Sequence, residues 1–424
     1  MAHVLDDPIF PIVGWAGPAD EMIRPAVMSG MAEAGFNVSH SWVHGDLAAL
    51  RRALDVAADS GVRLLLAHQS WHVGDAEQFG DRRMEEIAAL VAALKDHPGL
   101  YGYYLRDEPH FDQLPKLARV HAFIGERDPD HLCYINHFPP IEGWGAPTAE
   151  AFWRRYIELT QPQVLSFDHY PITVASQAAL AAQVDAPNAF PAAHLLVKPD
   201  FFSCLDLLRT LSNGTGLPFW AFTCAVRHGP YPMPTEGHLR FQLMNNLAYG
   251  ARGLQYFTYA HNGALIGPDG TPTPTWALAK RINAEIHALA PVLRSLRNIG
   301  VFRSGPLWAG TQPPHRSHRS PLLDCDGDPV TLGVFLDQVE RLHLWVVNGS
   351  PVDWASVRIK LDVDPQAQRL YAFDMNALNP EAPSTKQNGF RELWPADPRD
   401  QLVTLAPGEG RLFKLDSRGL GVSF

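Results

Sequence analysis

The sequence predicts an α/β protein: a (β/α)8 TIM barrel over residues 1–300, followed by a small C-terminal antiparallel β-sandwich over residues 301–424. Three observations carry that expectation. Through the first 300 residues short apolar runs alternate with amphipathic stretches, eight of each, which is the count of a closed barrel. Those runs are apolar throughout, as parallel strands buried on both faces require. After residue 298 the texture changes to runs broken by Gly, Pro, Asn and Asp, the pattern of antiparallel strands and turns.

Residues 10–15 read as the first strand and 21–34 as its helix; 36–42 and 47–60 repeat the unit, and 62–69 with 83–95 complete a third. In the third helix Met84, Ile87, Leu90, Val91 and Leu94 recur at helical spacing. Five more strands follow at 100–105, 133–137, 164–167, 219–222 and 253–259, and the last helix spans 276–296. A doubly wound open sheet is the competing arrangement, but no Gly-x-Gly-x-x-Gly follows the first strand. Beyond the barrel, strands are expected at 334–336, 342–347, 357–361, 369–373, 402–405 and 410–415, with Pro-rich surface loops at 305–321 and 379–388.

Composition narrows the function. With 46% hydrophobic and 19% charged residues the chain has the make-up of a folded enzyme-sized protein. Its 35 basic and 45 acidic residues give a net charge of −10, and no basic run offers a nucleic acid its footprint. Apolar stretches such as 62–67 fall far short of the roughly 20 residues a bilayer span needs, so no membrane partner is expected. Asp6 and Asp7 stand where a secretory leader would be basic and then apolar, which suggests a cytoplasmic protein or a mature exported one. Cys133, Cys204, Cys224 and Cys325 are far apart, with no CxxC pair, and read as packed thiols.

Barrel enzymes do their chemistry at the carboxyl ends of the strands. Here those ends are polar and aromatic: Trp15, then His40 and Trp42, then His68, Gln69 and Trp71, then Arg106, Asp107 and Glu108. Asn136 and His137 end strand five, Asp168, His169 and Tyr170 strand six, Thr223 and Cys224 strand seven, and Tyr256 and Tyr259 strand eight. Aromatic rings stack on the apolar face of a pyranose while carboxylates, amides and imidazoles hydrogen-bond its hydroxyls, so the set points to a carbohydrate substrate. Trp15, Trp42, Trp71 and Tyr259 are expected to shape the subsite. Asp107, Asn136, His137 and Tyr170 would orient hydroxyls, with His68 and His169 beside them. Core packing is the alternative for any single aromatic.

The sharpest motif is Tyr103-Tyr104-Leu105-Arg106-Asp107-Glu108-Pro109, an acidic pair leaving a buried strand. Desolvation and a neighbouring like charge raise a carboxyl pKa, which suits Glu108 to act as a general acid near neutral pH. An ion pair with Arg106, or a cap for the next helix, is the structural alternative.

The segment from His97-Pro98-Gly99-Leu100 to Tyr103-Tyr104, followed by Asp107-Glu108-Pro109, resembles the fourth strand of clan A glycoside hydrolases, whose Asn-Glu-Pro carries the acid/base glutamate. Asp107 stands where those enzymes have Asn. Asp168-His169-Tyr170-Pro171 is similar to the sixth-strand region of that clan, and residues 241–259, with Ala248-Tyr249-Gly250-Ala251-Arg252-Gly253, resemble the seventh helix and eighth strand of its β-galactosidase-like members. Gly270-Thr271-Pro272 with Trp276, Asn283 and Leu296, and Ala406-Pro407-Gly408-Glu409-Gly410, extend the likeness to a bacterial subgroup over nearly the whole chain. The resemblance implies a glycoside hydrolase.

One departure matters. Retaining members carry a nucleophilic glutamate at the end of strand seven, where this chain reads Pro218-Phe219-Trp220-Ala221-Phe222-Thr223-Cys224-Ala225-Val226. Asp168 is then the natural second carboxyl. Two strands round from Glu108, it leaves room for a water, so inversion with Asp168 as general base is expected. Asp107 is disfavoured as base because adjacent strand residues point to opposite sides. Glu236 would restore a retaining mechanism if the 227–234 loop folds inward, although Thr235 as a cap with Glu236 in the first helical turn explains it without chemistry. No cofactor and no metal are expected: His40 with His44 and His68 with His72 sit in no HExxH frame, and phosphate-loop, Gly-x-Ser-x-Gly and nucleotide fingerprints are absent. Two rivals remain open: a non-catalytic carbohydrate-binding barrel, and a metal-dependent enzyme using His68, His137 and Asp168.

Overall fold

A computed structural model describes residues 9–75, 79–174, 195–317, 320–373, 390–392 and 397–417. Six barrel strands come first: β1 (Ile12–Trp15), β2 (Val38–Trp42), β3 (Arg63–Ala67), β4 (Leu100–Asp107), β5 (Leu132–Asn136) and β6 (Leu165–Phe167). After an inserted hairpin of β7 (Ile172–Val174) and β8 (Leu195–Val197), β9 (Phe219–Cys224) and β10 (Gly253–Phe257) complete the parallel sheet, in the order β5-β4-β3-β2-β1-β10-β9-β6. A parallel bridge between His137 and Phe167 links the two end strands, so the eight-stranded sheet curls into a barrel. Leu64, Leu65, Leu66 and Ala67 of β3 are wholly inaccessible, as an apolar run enclosed on both faces should be.

Eight α-helices are described: α1 (Pro25–Glu33), α2 (Leu47–Asp59), α3 (Asp81–Leu94), α4 (Leu114–Gly125), α5 (Ala149–Thr160), α6 (Asp200–Thr215), α7 (Glu236–Ala248) and α8 (Pro274–Ser295). Their starts follow side-chain chemistry. Asp46 accepts from Ala49 N–H at 3.0 Å and Thr148 from Ala151 N–H at 3.1 Å, each satisfying an orphan amide of the first turn. The helix expected from residue 21 begins instead at Pro25, because proline has no N–H to give a preceding turn and its fixed φ favours the first helical position. No described helix is long and apolar enough to cross a membrane.

The C-terminal part holds two antiparallel sheets. One contains β11 (Arg297–Arg303), β13 (Val330–Leu336), β14 (Leu342–Asn348), β19 (Gly410–Ser417), β16 (Gln368–Phe373) and β17 (Phe390–Glu392) in that order; the other is β12 (Leu322–Gly327), β15 (Ala355–Leu361) and β18 (Asp400–Leu405). Leu332, Val334, Leu344 and Val346 of the first meet Val357, Ile359, Val403 and Leu405 of the second in one apolar core. β11, β12 and β17 were not anticipated, and the division expected at 300/301 falls inside β11. The expected loop at 379–388 and the N-terminal residues 1–8 lie outside the described residues. Cys133, Cys204 and Cys224 are buried and Cys325 is half-buried, all as free thiols.

The first sheet presses its other face on α7, where Trp345 Nε1 donates to the Met244 carbonyl at 3.0 Å. With barrel strands on one side and this sheet on the other, α7 is buried nearly all round from His238 to Ala248. A Cβ at Gly237 would stand 2.3 Å from the Pro351 carbonyl oxygen, so only glycine allows that approach.

Candidate active site

Strand β4 delivers two acids to one place. Its register with β5 slips between Tyr104 and Arg106, a bulge of the kind that re-aims side chains at barrel rims. Arg106 turns outward to Asp75 at 2.6 Å and the Val73 carbonyl at 3.2 Å, so it is no partner for Glu108. Glu108 itself has φ of 45°, a left-handed backbone that costs a non-glycine residue on the order of 1–2 kcal/mol. Its N–H donates to the Asn136 carbonyl at 3.0 Å, which holds the turn. Asp107 and Glu108 consequently line the same cleft, contrary to the alternation expected of consecutive strand residues.

A hydrogen-bond network inside the barrel then fixes the third acid. Gln255 Nε2 donates to Ser166 Oγ at 2.8 Å, and Ser166 donates to Asn136 Oδ1 at 3.0 Å. That orients the Asn136 amide, whose two N–H groups donate to Asp107 Oδ1 and Asp168 Oδ1, each at 3.0 Å. Asp168 in turn is in hydrogen-bond contact with Glu108, carboxyl to carboxyl. A hydrogen bond between two carboxyls needs one of them protonated, which fits the raised proton affinity of both.

The electrostatics follow from that crowding. Desolvation and the Asp107 charge push Glu108 up to about 7, against the opposing hydrogen bond from Asp168. Asp168 is driven well above the usual carboxylate range by desolvation and then by the charges of Glu108 and Asp107. Asp107 is also raised by desolvation, with the Asn136 hydrogen bond opposing. The Glu108–Asp168 pair titrates as a unit.

The cleft holds about 330 Å³ and is walled by Trp15, Phe222, Phe257 and Tyr170. Trp15 is fixed by a stacked His40 with ring centres 4.0 Å apart and by edge contacts with Tyr104 and Phe222. The end of β9 is pinned from behind by α7: Gln242 accepts from Cys224 N–H at 2.9 Å, and Asn246 donates to the Phe222 carbonyl at 3.0 Å. His169 is buried, and its Nε2 meets Asp200 at 3.2 Å; desolvation holds the imidazole neutral, so this is an N–H donor to a carboxylate.

Of the residues singled out from sequence, Trp15, Asp107, Glu108, Asn136, Asp168, His169 and Tyr170 meet in this cleft. Others do not reach it. His137 faces away, packed against Trp153 at 4.7 Å and Tyr156 at 4.1 Å on α5, and burial lowers its pKa to about 3. His68 is tied to the Gly45 carbonyl at 3.2 Å, and Trp71 is fully buried with Nε1 on the Leu66 carbonyl at 3.1 Å. Tyr259 is inaccessible and packs edge-on against Phe36, while Trp42 lies outside the lining, edge-on to Tyr104 at 6.1 Å. The physical reason is common to most of them. Side chains leaving a barrel strand alternate between the interior and the helix layer, and proximity to a strand end does not say which.

Glu236 is also elsewhere. Both of its oxygens are taken, by Arg240 at 2.9 Å and Arg281 at 2.8 Å, and Thr235 caps α7 through His238 N–H at 3.3 Å. The 227–234 loop does bring His228 and Tyr231 to the cleft, but its carboxylate neighbour stays on the helix. His68, His137 and Asp168 do not meet, and among the described residues no group of three His, Cys, Asp or Glu is placed to hold a metal ion.

Sequence reasoning missed Lys198, His228, Tyr231, Pro139, Phe222 and Phe257 in the lining. Lys198 follows β8 of the unanticipated hairpin, so no strand-end argument reached it. Phe257 was hidden by placing the end of strand eight two residues later.

No protein-family model and no curated protein sequence matches the chain. A solved structure from Bacteroides fragilis, assigned as an α-galactosidase, matches 96% of this chain and 79% of its own with a TM-score of 0.51 and 11% identity. At that identity the likeness shows the fold alone. A glucosidase from Croceicoccus marinus matches 98% of this chain and 96% of its own with a TM-score of 0.44 and 12% identity. A β-galactosidase from the psychrophilic Marinomonas ef1 matches 68% of this chain with a TM-score of 0.47 and 12% identity. This chain covers 62% of the length of that β-galactosidase and 60% of an exo-β-1,4-mannosidase from an Opitutaceae bacterium. The chain has an eight-stranded parallel barrel with antiparallel sheets after it.

Proposed function

We propose that this protein hydrolyses the glycosidic bond of an oligosaccharide or glycoside. The observation that carries the reading is the Glu108–Asp168 pair, two carboxyls with raised proton affinity brought together at the carboxyl ends of β4 and β6 in a cleft of about 330 Å³. That volume is at the lower end of the ~300–1,000 Å³ of ligand pockets and suits a monosaccharide-sized group. Glu108, raised to about 7, holds a proton near neutral pH and gives it to the departing glycosidic oxygen. Once substrate parts the pair and the proton stays with Glu108, Asp168, oriented by Asn136, is the carboxylate that accepts a proton from the attacking water. Trp15 and Tyr170 offer rings to the sugar face, and Asp107 and His169 polar contacts to its hydroxyls. In this reading the barrel carries the chemistry and the C-terminal sheets buttress α7 behind the cleft.

An inverting pair stands roughly 6.5–9.5 Å apart with a water between and a retaining pair ~5 Å apart, whereas here a hydrogen bond links Glu108 to Asp168 directly. Entry of the glycosidic oxygen therefore has to part them, trading the carboxyl–carboxyl hydrogen bond for one to substrate. The same contact, with the carboxylate-free end of β9, favours a second reading: a barrel that binds sugar and does not cleave it. An NMR time course on a panel of glycosides separates the two. Hydrolysis is expected, and the first anomer released reports inversion or retention; binding with no turnover of any glycoside favours the second reading.

A further inference from the structure

Lys198 lines the cleft on its β6–β9 side, half-buried, and among the described residues it makes no ion pair. Three constraints hold it. Its N–H donates to the Pro171 carbonyl at 2.8 Å, its Nζ donates to Tyr231 Oη at 2.8 Å, and the ammonium lies 4.9 Å from the Tyr231 ring centre. Tyr231 is itself wedged edge-on against Tyr170 at 5.3 Å and stacked with His228 at 6.2 Å. Among the described acids, Asp200 feels the ammonium's charge but gives its hydrogen bond to His169, and Asp107, Glu108 and Asp168 are engaged with Asn136 and one another. A lysine fixed in a cleft, with donors to spare and no carboxylate hydrogen-bonded to it among the described residues, is a ready partner for a ligand's negative charge.

We propose that Lys198, with Tyr231 and His228, forms a subsite for an anionic substituent on the bound sugar, a carboxylate or a sulfate ester, so that the substrate class is acidic rather than neutral saccharides. The turnover part rests on the hydrolase reading; the binding part does not. The test uses the full chain, with calorimetric titration of glucose, glucuronate, galactose, galacturonate and glucose 6-sulfate. At least one acidic sugar should bind about tenfold or more tighter than its neutral counterpart, the worth of one charge-assisted hydrogen bond. Lys198→Met should abolish that advantage, and Lys198→Arg should keep part of it, which controls for folding. Whether the carboxylates or the sulfate gain the advantage identifies the group recognised. Equal binding of neutral and acidic sugars, no binding of any acidic sugar, or an advantage that survives Lys198→Met overturns the proposal. Acidic sugars bound without hydrolysis of any glycoside would remove the hydrolase reading and leave this subsite standing.

Discussion

The two ends of the barrel hold cavities of opposite character. At the amino-terminal end a space of about 700 Å³, roughly twice the cleft, is lined by Arg209, Arg252, Arg294 and Arg297. Its charges are largely committed to architecture: Arg209 to Asp206, Arg297 to Glu340, and Arg252 to the Leu293 and Leu296 carbonyls at the end of α8. At the carboxyl-terminal end a smaller cleft holds three acids with no described arginine or lysine paired to Glu108 or Asp168. Of these two spaces, the larger is not the one that gathers the acids. What marks the cleft is three crowded carboxyls with raised proton affinity and backbone held in a left-handed turn at Glu108, both costly unless function keeps them.

The largest expected effect therefore lies at Glu108. Glu108→Gln keeps the shape and removes the proton donor, and should lower kcat by about 10²- to 10⁴-fold on a glycoside the wild type cleaves. Steady-state kinetics with sugar titration check it, since binding should survive. Wild-type turnover in this variant would dismiss the assignment. For the wild type, activity should fall as pH rises through about 7, because the acid is lost.

At the other end the effect should appear in stability and not in rate. Arg252→Met removes the guanidinium that satisfies the last carbonyls of α8, and hydrogen bonds to charged groups are worth about 1.5–3 kcal/mol. Chemical denaturation should show a loss of about that size, with kcat/KM unaltered. A change in kcat without a change in stability would mean that the lower cavity takes part in turnover.

The acids of the cleft carry a stability signature of their own. Glu108 binds its proton more tightly folded than unfolded, so between pH 4.5 and about 7 the folded state holds more protons and stability falls as pH rises. Replacing it with Gln should raise Tm at pH 8 relative to wild type, and the gap should close near pH 4. Thermal melts of both proteins across that range are the measurement; equal melts at pH 8 would mean that the strain resides elsewhere.

Much of this was legible in the sequence. Apolar runs such as 62–67 announced strands enclosed on both faces, and the acidic pair after the fourth strand announced the cleft. What escaped was direction. Tyr259 and His137 lie at or just past strand ends exactly as Trp15 and Asn136 do, yet they turn into the helix layer, and one-dimensional spacing does not encode that choice. Asp107 and Glu108 share a cleft only because of a bulge and a positive φ, neither of which leaves a mark in composition. The hairpin that carries Lys198 has strands of three residues, too short for any periodicity to register.

Glu236 offers the smallest and most discriminating effect. Desolvation pushes its carboxyl up, but the hydrogen bonds from Arg281 and Arg240 outweigh that and leave it below the usual range. Its contribution to stability is therefore present above the unfolded pKa of ~4.3 and lost as pH falls below it. The pair with Arg281 is exposed enough for solvent to screen it, and the site at the start of α7 adds only a modest helix-dipole contribution. Glu236→Gln should cost about 1 kcal/mol or less at pH 7, nothing at pH 3, and leave kcat within about twofold, because neither oxygen faces the cleft. Denaturation at the two pH values and one kinetic assay suffice. A loss of activity comparable with that of Glu108→Gln would bring this carboxylate back as the missing partner of β9 and make the mechanism a retaining one.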